Sequence, residues 1–306
     1  MRVPDSLIKC VGFVSPFGDE MTYGGTAFIV AIRMDATHVY AHLITAKHVA
    51  DALEPGETVV AMNARDGAPL FLRKGDQPWF FHPTEPDFVD VAVIPFGSAR
   101  FSEYDISSIP EDAFVNDARI AEFGIGIGDE IVIIGLFTKF FGSTHLIPIV
   151  RTGNLAMMPK DRVPVKNFGE MEAYLAEGRS IGGLSGSPVF VRNTVNIPAQ
   201  TAKGKLGHIS GLGPLHFLGL MHGHWDLPAS FSAAQQAEAV NMGVSIIVPA
   251  KKILEVLYHP ELVAMRKEHL EQEKKDNYPT ADSAFQKPLT KEEFEATLKK
   301  VSRKIK

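Results

Sequence analysis

Residues 26–45 read TAFIVAIRMDATHVYAHLIT, two β-rich runs, Thr26–Arg33 and His38–Thr45, with a short polar break between them. Similar runs recur outward from this pair. Ile8–Val14, Thr58–Met62 and Val89–Phe96 lie in the first half, and Glu130–Phe137, Leu146–Met158, Ser187–Arg192, His216–His222 and Gly243–Val248 in the second. Gly, Pro, Asn and Asp separate them. Many short strands with no long amphipathic helix between the first ones predict an all-β sandwich or barrel rather than βαβ units. Residues 97–125 are more polar and broken, and are expected to link two strand groups of similar size.

The composition fits a folded globular chain. Of 306 residues, 45% are hydrophobic and 22% charged, which excludes a largely disordered polymer. With 31 Lys and Arg against 36 Asp and Glu the net charge is −5, so no bulk attraction to nucleic acid or anionic lipid is expected. A single cysteine, Cys10, forms no internal disulfide and points to a reducing, cytoplasmic setting. The opening MRVPDSLIKC contains an acid and lacks a long apolar core, so it does not read as a secretion signal. No apolar run approaches the roughly 20 residues that a helix needs to cross a bilayer.

The composition shifts near Pro260. Residues 260–306 hold 11 Lys or Arg and 9 Asp or Glu, about twice the charge density of the whole chain. Lys251–Tyr258 and Glu261–Lys275 are expected to be helical. Thr290–Glu293 is a capping-box pattern, followed by Phe294, Leu298, Val301 and Ile305 at helical spacing. The expected division is 1–110, 111–250 and a charged helical tail, 251–306. The tail packs one stripe on the body, or docks a regulatory partner or a second copy.

Three segments carry candidate chemistry. In Leu43-Ile-Thr-Ala-Lys-His48 an apolar strand ends in a turn that delivers a histidine, giving a base fixed by packing yet close to a cleft. In Asp87-Phe-Val-Asp90-Val-Ala-Val-Ile94 an acid enters an apolar run, and its desolvation requires a partner such as an imidazole N–H. In Gly182-Gly-Leu-Ser185-Gly-Ser-Pro188 a serine sits on a glycine-rich turn. There the amides of Gly183 and Ser185 are candidates for an oxyanion hole.

Taken in the order His48, Asp90, Ser185, these segments resemble the chymotrypsin-fold (trypsin-like) serine peptidases. Thr45–His48 matches the family's Thr-Ala-x-His motif, and Asp90–Val93 its Asp-x-Ala-Val strand. Gly183–Pro188 matches its Gly-x-Ser-Gly-Gly-Pro loop, with Ser187 in place of the second glycine. Gly124–Gly135 and Gly243–Ala250 resemble segments of the HtrA-like branch. The resemblance covers about residues 8–258 and implies two perpendicular six-stranded β-barrels with the triad in the cleft between them. It implies a serine endopeptidase without a cofactor that acts on protein or peptide substrates through an acyl-enzyme.

The departures from the family carry expectations of their own. Ser187 is expected as a second hydroxyl near the site. Leu184 stands where digestive relatives carry an Asp that pairs with a new N-terminus, so trimming of that kind is not expected to activate this chain. Nothing after residue 258 resembles a PDZ domain. By family position, Arg179 lies at the base of the specificity pocket and His222 and His224 on its wall, an arrangement that would favour an acidic side chain; a small apolar one is the alternative.

A metal site at His216, His222, His224 and Asp226 lacks helical ligand spacing and cysteine, so no metal is expected. An α/β-hydrolase requires the order Ser, acid, His, which is not the order here. The strongest rival is a weak or inactive trypsin-like fold that serves as a protein-binding or regulatory module.

Overall fold

The computed structural model of the chain describes residues 2–17, 23–53, 57–97, 103–142, 144–178, 182–200, 206–227 and 240–276. After a single helical turn, α1 (Asp5–Ile8), the first half is a sheet. It comprises β1 (Val11–Pro16), β2 (Gly25–Arg33), β3 (Val39–Thr45), β4 (Thr58–Asn63), β5 (Pro69–Arg73) and β6 (Ala92–Pro95), with helix α2 (Lys47–Leu53) after β3. The antiparallel ladder runs β5-β4-β1-β2-β3-β6, and β7 (Ile109–Pro110) joins β2 in parallel. Eight of the nine residues of β2 are buried, as its unbroken apolar run requires.

The expected closed six-stranded first barrel is corrected here. Among the described residues this is a seven-stranded sheet whose ladder stays open between β5 and β6. The reason is local: the outer edge of β6 is occupied by Phe80, whose N–H donates to the Val93 carbonyl (2.8 Å) and whose carbonyl accepts from Val93 N–H (2.9 Å).

The stretch expected as a plain linker is built into the fold. Tyr104, Ile106, Ile109 and Phe114 are buried in it. After β7 come a 3₁₀ turn (Glu111–Ala113) and α3 (Asp117–Phe123). Helix α3 is opened by the Asn116 side chain, which accepts from Arg119 N–H (2.9 Å), and closed by Gly124 at φ 65°.

The second half contains a closed barrel in the order β12-β15-β14-β13-β8-β9. Its strands are β8 (Glu130–Gly135), β9 (Ile149–Met157), β12 (Tyr174–Glu177), β13 (Pro188–Gln200), β14 (Leu206–Leu227) and β15 (Val240–Pro249). A small hairpin, β10 (Arg162–Val165) and β11 (Gly169–Glu172), stands outside it. Aromatic packing joins the halves: Phe217 of β14 lies 5.4 Å from Phe28 of β2 and 4.6 Å from Phe114, between ring centroids.

Two helices follow, α4 (Ala250–Leu257) and α5 (Pro260–Asp276). They match the expected helices over Lys251–Tyr258 and Glu261–Lys275, while the capping box at Thr290–Glu293 lies outside the described residues. Helix α5 is anchored by Arg266, only 2% exposed, which donates to the Leu257 carbonyl (2.7 Å) and to His42 Nε2 (3.1 Å).

Candidate active site

His48 sits in the first turn of α2, directly after β3. That turn leaves backbone amides without intrahelical partners. Asp90, 42 residues further on, supplies one: its Oδ1 accepts the His48 backbone N–H at 2.8 Å. Its Oδ2 accepts from the His48 ring at Nδ1, 2.7 Å away. One carboxylate therefore caps the helix and fixes the imidazole that the helix carries. A carboxylate only accepts, so the Nδ1 proton is assigned to the ring, which leaves Nε2 free to act as a base.

Asp90 is expected within a strand, but it precedes β6. Val91 N–H donates back to the Val89 carbonyl (3.0 Å), and this three-residue turn keeps Asp90 off the ladder. The side chain is fully buried. Burial alone raises a carboxyl pKa, but hydrogen bonds from His222 and His48 outweigh it and hold Asp90 well below the usual carboxylate range. For His48, burial opposes the charged form, yet the Asp90 bond and charge, with Asp51 adding, raise its pKa above the ordinary value.

The second bond to Asp90 departs from the sequence reading. His222 Nδ1 lies 2.5 Å from the same Oδ2. The strand pairing explains why. Met221 pairs with Ile247 and Gly223 with Ile246, so His222 is the extra residue of a β-bulge. A bulge re-aims its side chain and breaks the two-residue repeat, so the spacing of His222 and His224 no longer places them on one face. His222 thus turns to Asp90. Arg179 lies outside the described residues.

Ser185 is held on its loop from several sides. The Ser185 carbonyl accepts from Thr26 N–H (2.9 Å), and the Gly183 carbonyl from Thr26 Oγ1 (2.8 Å). Gly186 N–H donates to the Met221 carbonyl (2.8 Å). Gly186 lies at φ 83°, and a Cβ there would stand 2.1 Å from the Thr26 carbonyl oxygen, so glycine is required. Among the described residues no group accepts from the amides of Gly183 or Ser185, which leaves both available to an oxyanion. The Ser185 hydroxyl donates to the His222 carbonyl (3.0 Å) rather than to His48. The structure therefore joins His48 to Asp90 and places His222 against both Asp90 and Ser185, while no hydrogen bond links Ser185 to His48.

Ser187, on the same loop, is fully buried. Its Oγ lies where a Cβ on Gly135 would be, 1.9 Å from that position, and it has no hydrogen-bond partner. Leu184 is also fully buried, in the barrel core.

No protein-family model matches the chain, and no curated protein matches it either. Solved structures do. The MamO protease domain from Magnetospirillum magneticum (apo form) is 15% identical over 67% of this chain and 93% of that one, with a TM-score of 0.43. Deg5 is 15% identical over 82% and 88%, with a TM-score of 0.46. The HtrA-type protease AlgW with a decapeptide is 14% identical over 83% and 65%, with a TM-score of 0.47.

Sequence reasoning missed the contributions of Thr26 and Phe168, and the partner that His222 takes. Thr26 anchors the serine loop, and no local motif marks it. His222 owes its aim to the bulge. Phe168, 8% exposed, sets its ring 5.3 Å from His222 and 6.5 Å from His48. It is delivered by the turn of the outer hairpin, where Asn167 adopts φ 69° and Gly169 φ 62°, and that Asn-x-Gly signal is visible in the sequence.

Proposed function

We propose that the chain is a serine endopeptidase of trypsin-like type, with Ser185 as nucleophile, His48 as base and Asp90 as its orienting acid. The observation that carries this reading is the double grip of Asp90 on His48. It ties together two segments 42 residues apart in the tautomer a general base needs. Peptide binding makes the Ser185 hydroxyl leave the His222 carbonyl and pass its proton to His48 Nε2 as it attacks the peptide carbonyl. The amides of Gly183 and Ser185 receive the oxyanion, and water then hydrolyses the acyl-enzyme. Protein or peptide substrates follow from this chemistry, and a decapeptide accompanies the AlgW structure. A cytoplasmic setting remains part of the proposal, supported by the single, buried Cys10.

A fluorophosphonate probe tests the assignment. The wild-type chain labels, and Ser185→Ala loses both the label and more than about a thousandfold of casein turnover. Wild-type-like cleavage by Ser185→Ala removes Ser185 from the role. One observation favours a second reading, a restrained or inactive fold that binds proteins: the serine is bonded to His222 rather than to its base. A folded wild-type chain that binds peptides but never labels selects that reading.

A further inference from the structure

Two histidines converge on one buried carboxylate. Nδ1 of His48 and Nδ1 of His222 approach the same Asp90 oxygen at 2.7 and 2.5 Å, and one ligand atom from each of the three residues lies within 4.8 Å of the others. The rings meet edge to face with centroids 5.2 Å apart. A base held by its acid needs one imidazole on that acid, and the second is surplus to that task. Two imidazoles and a carboxylate are instead a donor set for a borderline divalent transition metal, and a poor one for Mg²⁺ or Ca²⁺.

We infer that His48, Asp90 and His222 form a site for a divalent transition metal of the zinc class. Tetrahedral Zn²⁺ with bonds near 2.1 Å spaces its ligand atoms about 3.4 Å apart. The two N···O separations, 2.7 and 2.5 Å, therefore widen by under about 1 Å each. The side chain of His48 is 38% exposed, that of His222 13% and that of Asp90 fully buried, so His48 is the member of the set nearest to solvent. Both rings now carry their proton on Nδ1. Metal at Nδ1 shifts that proton to Nε2 in each neutral ring, with no net proton released. His48 then presents an N–H where Ser185 needs an acceptor. Metal binding and base catalysis thus exclude one another. The exclusion rests on the proteolytic reading, whereas the binding site does not.

The test uses the full, metal-stripped chain and Zn²⁺ in competition with a chromophoric chelator. One Zn²⁺ per chain is expected, undisturbed by excess Mg²⁺. His222→Ala and Asp90→Asn each weaken it at least about tenfold, whereas His224→Ala leaves it unchanged. Absence of a stoichiometric site overturns the inference, as does a site lost in His224→Ala and kept in Asp90→Asn. Co²⁺ on the unmutated chain answers without any variant: an intense tetrahedral absorption supports the site, and a weak octahedral one overturns it. Fluorophosphonate labelling of Ser185 reads the exclusion, with Zn²⁺ blocking it and EDTA restoring it. Labelling that proceeds on the zinc-loaded chain overturns the exclusion, whereas absence of labelling in metal-free chain counts against the protease reading and leaves the binding result standing.

Discussion

Gly135, the last residue of β8, touches the serine loop, and Gly135→Ala measures how tightly that loop is packed. The added methyl carbon would lie 1.9 Å from Ser187 Oγ, 2.8 Å from Thr26 Oγ1 and 3.1 Å from Leu184 Cδ2. Neither hydroxyl can step aside. Ser187 is fully buried, and Thr26 Oγ1 is held between the Gly183 carbonyl (2.8 Å) and Leu136 N–H (2.9 Å). Overpacking a core of this kind costs about 1–3 kcal/mol, and two immovable neighbours put the expectation at the upper end. Ser187→Gly removes the nearest obstacle. On its own it is close to neutral, because relief of an unpartnered buried hydroxyl offsets the about 0.5–1 kcal/mol cost of a new glycine. The double variant retains the Thr26 contact, so it recovers about half of the loss, a coupling of about 1–2 kcal/mol. Urea unfolding of the four proteins reads this directly. A Gly135→Ala chain as stable as wild type, or strict additivity of the two changes, refutes the packing described for Ser187.

Three further outcomes are expected. Arg266→Ala strands the Leu257 carbonyl and opens a void under α5, with an expected loss of about 2–4 kcal/mol in chemical denaturation. His42 is buried beside Arg266, and both effects push its pKa down to about 3. The native ring therefore stays neutral while the unfolded one gains a proton below its ordinary value near 6.5. Stability is complete above about 6.5 and falls toward pH 3 by up to about 1.4 kcal/mol per unit, and urea midpoints of His42→Gln show a shallower fall. Gly186→Ala (φ 83°) drives a methyl into the Thr26 carbonyl, whereas Gly67→Ala (φ 90°) meets nothing within 4 Å. Thermal melts therefore show a clearly larger loss at Gly186, and only that variant loses fluorophosphonate labelling.

The strand-rich halves were legible because long apolar runs such as Thr26–Arg33 leave little choice of structure. The partnership of His48 with Asp90 was legible too, since a lone acid beside Val89 and Val91 demands a hydrogen-bonding partner. What stayed hidden is set by tertiary contacts. Strand β5 (Pro69–Arg73) is buried at no position, so its short apolar run Leu70-Phe-Leu72 lies on an edge strand that only its pairing with β4 defines. Strands β10, β11 and β12 have four residues each, too few for a period to register. The bulge at His222 comes from how β14 and β15 pair, and neither strand records it alone. The buried setting of Ser187 depends on Gly135, 52 positions away, a pairing that neither segment announces.

Thr26 links the halves in a way that bears on how such a chain can change over generations. Through its amide and its hydroxyl it grips two carbonyls of the loop that bears Ser185, and its own carbonyl accepts from Thr45 Oγ1 (2.7 Å). The piece that carries Ser185 therefore depends on scaffolding from the other piece. Recombination near residue 110 would separate the Ser185 loop from its anchor, so an exchange of either piece alone is expected to loosen that loop.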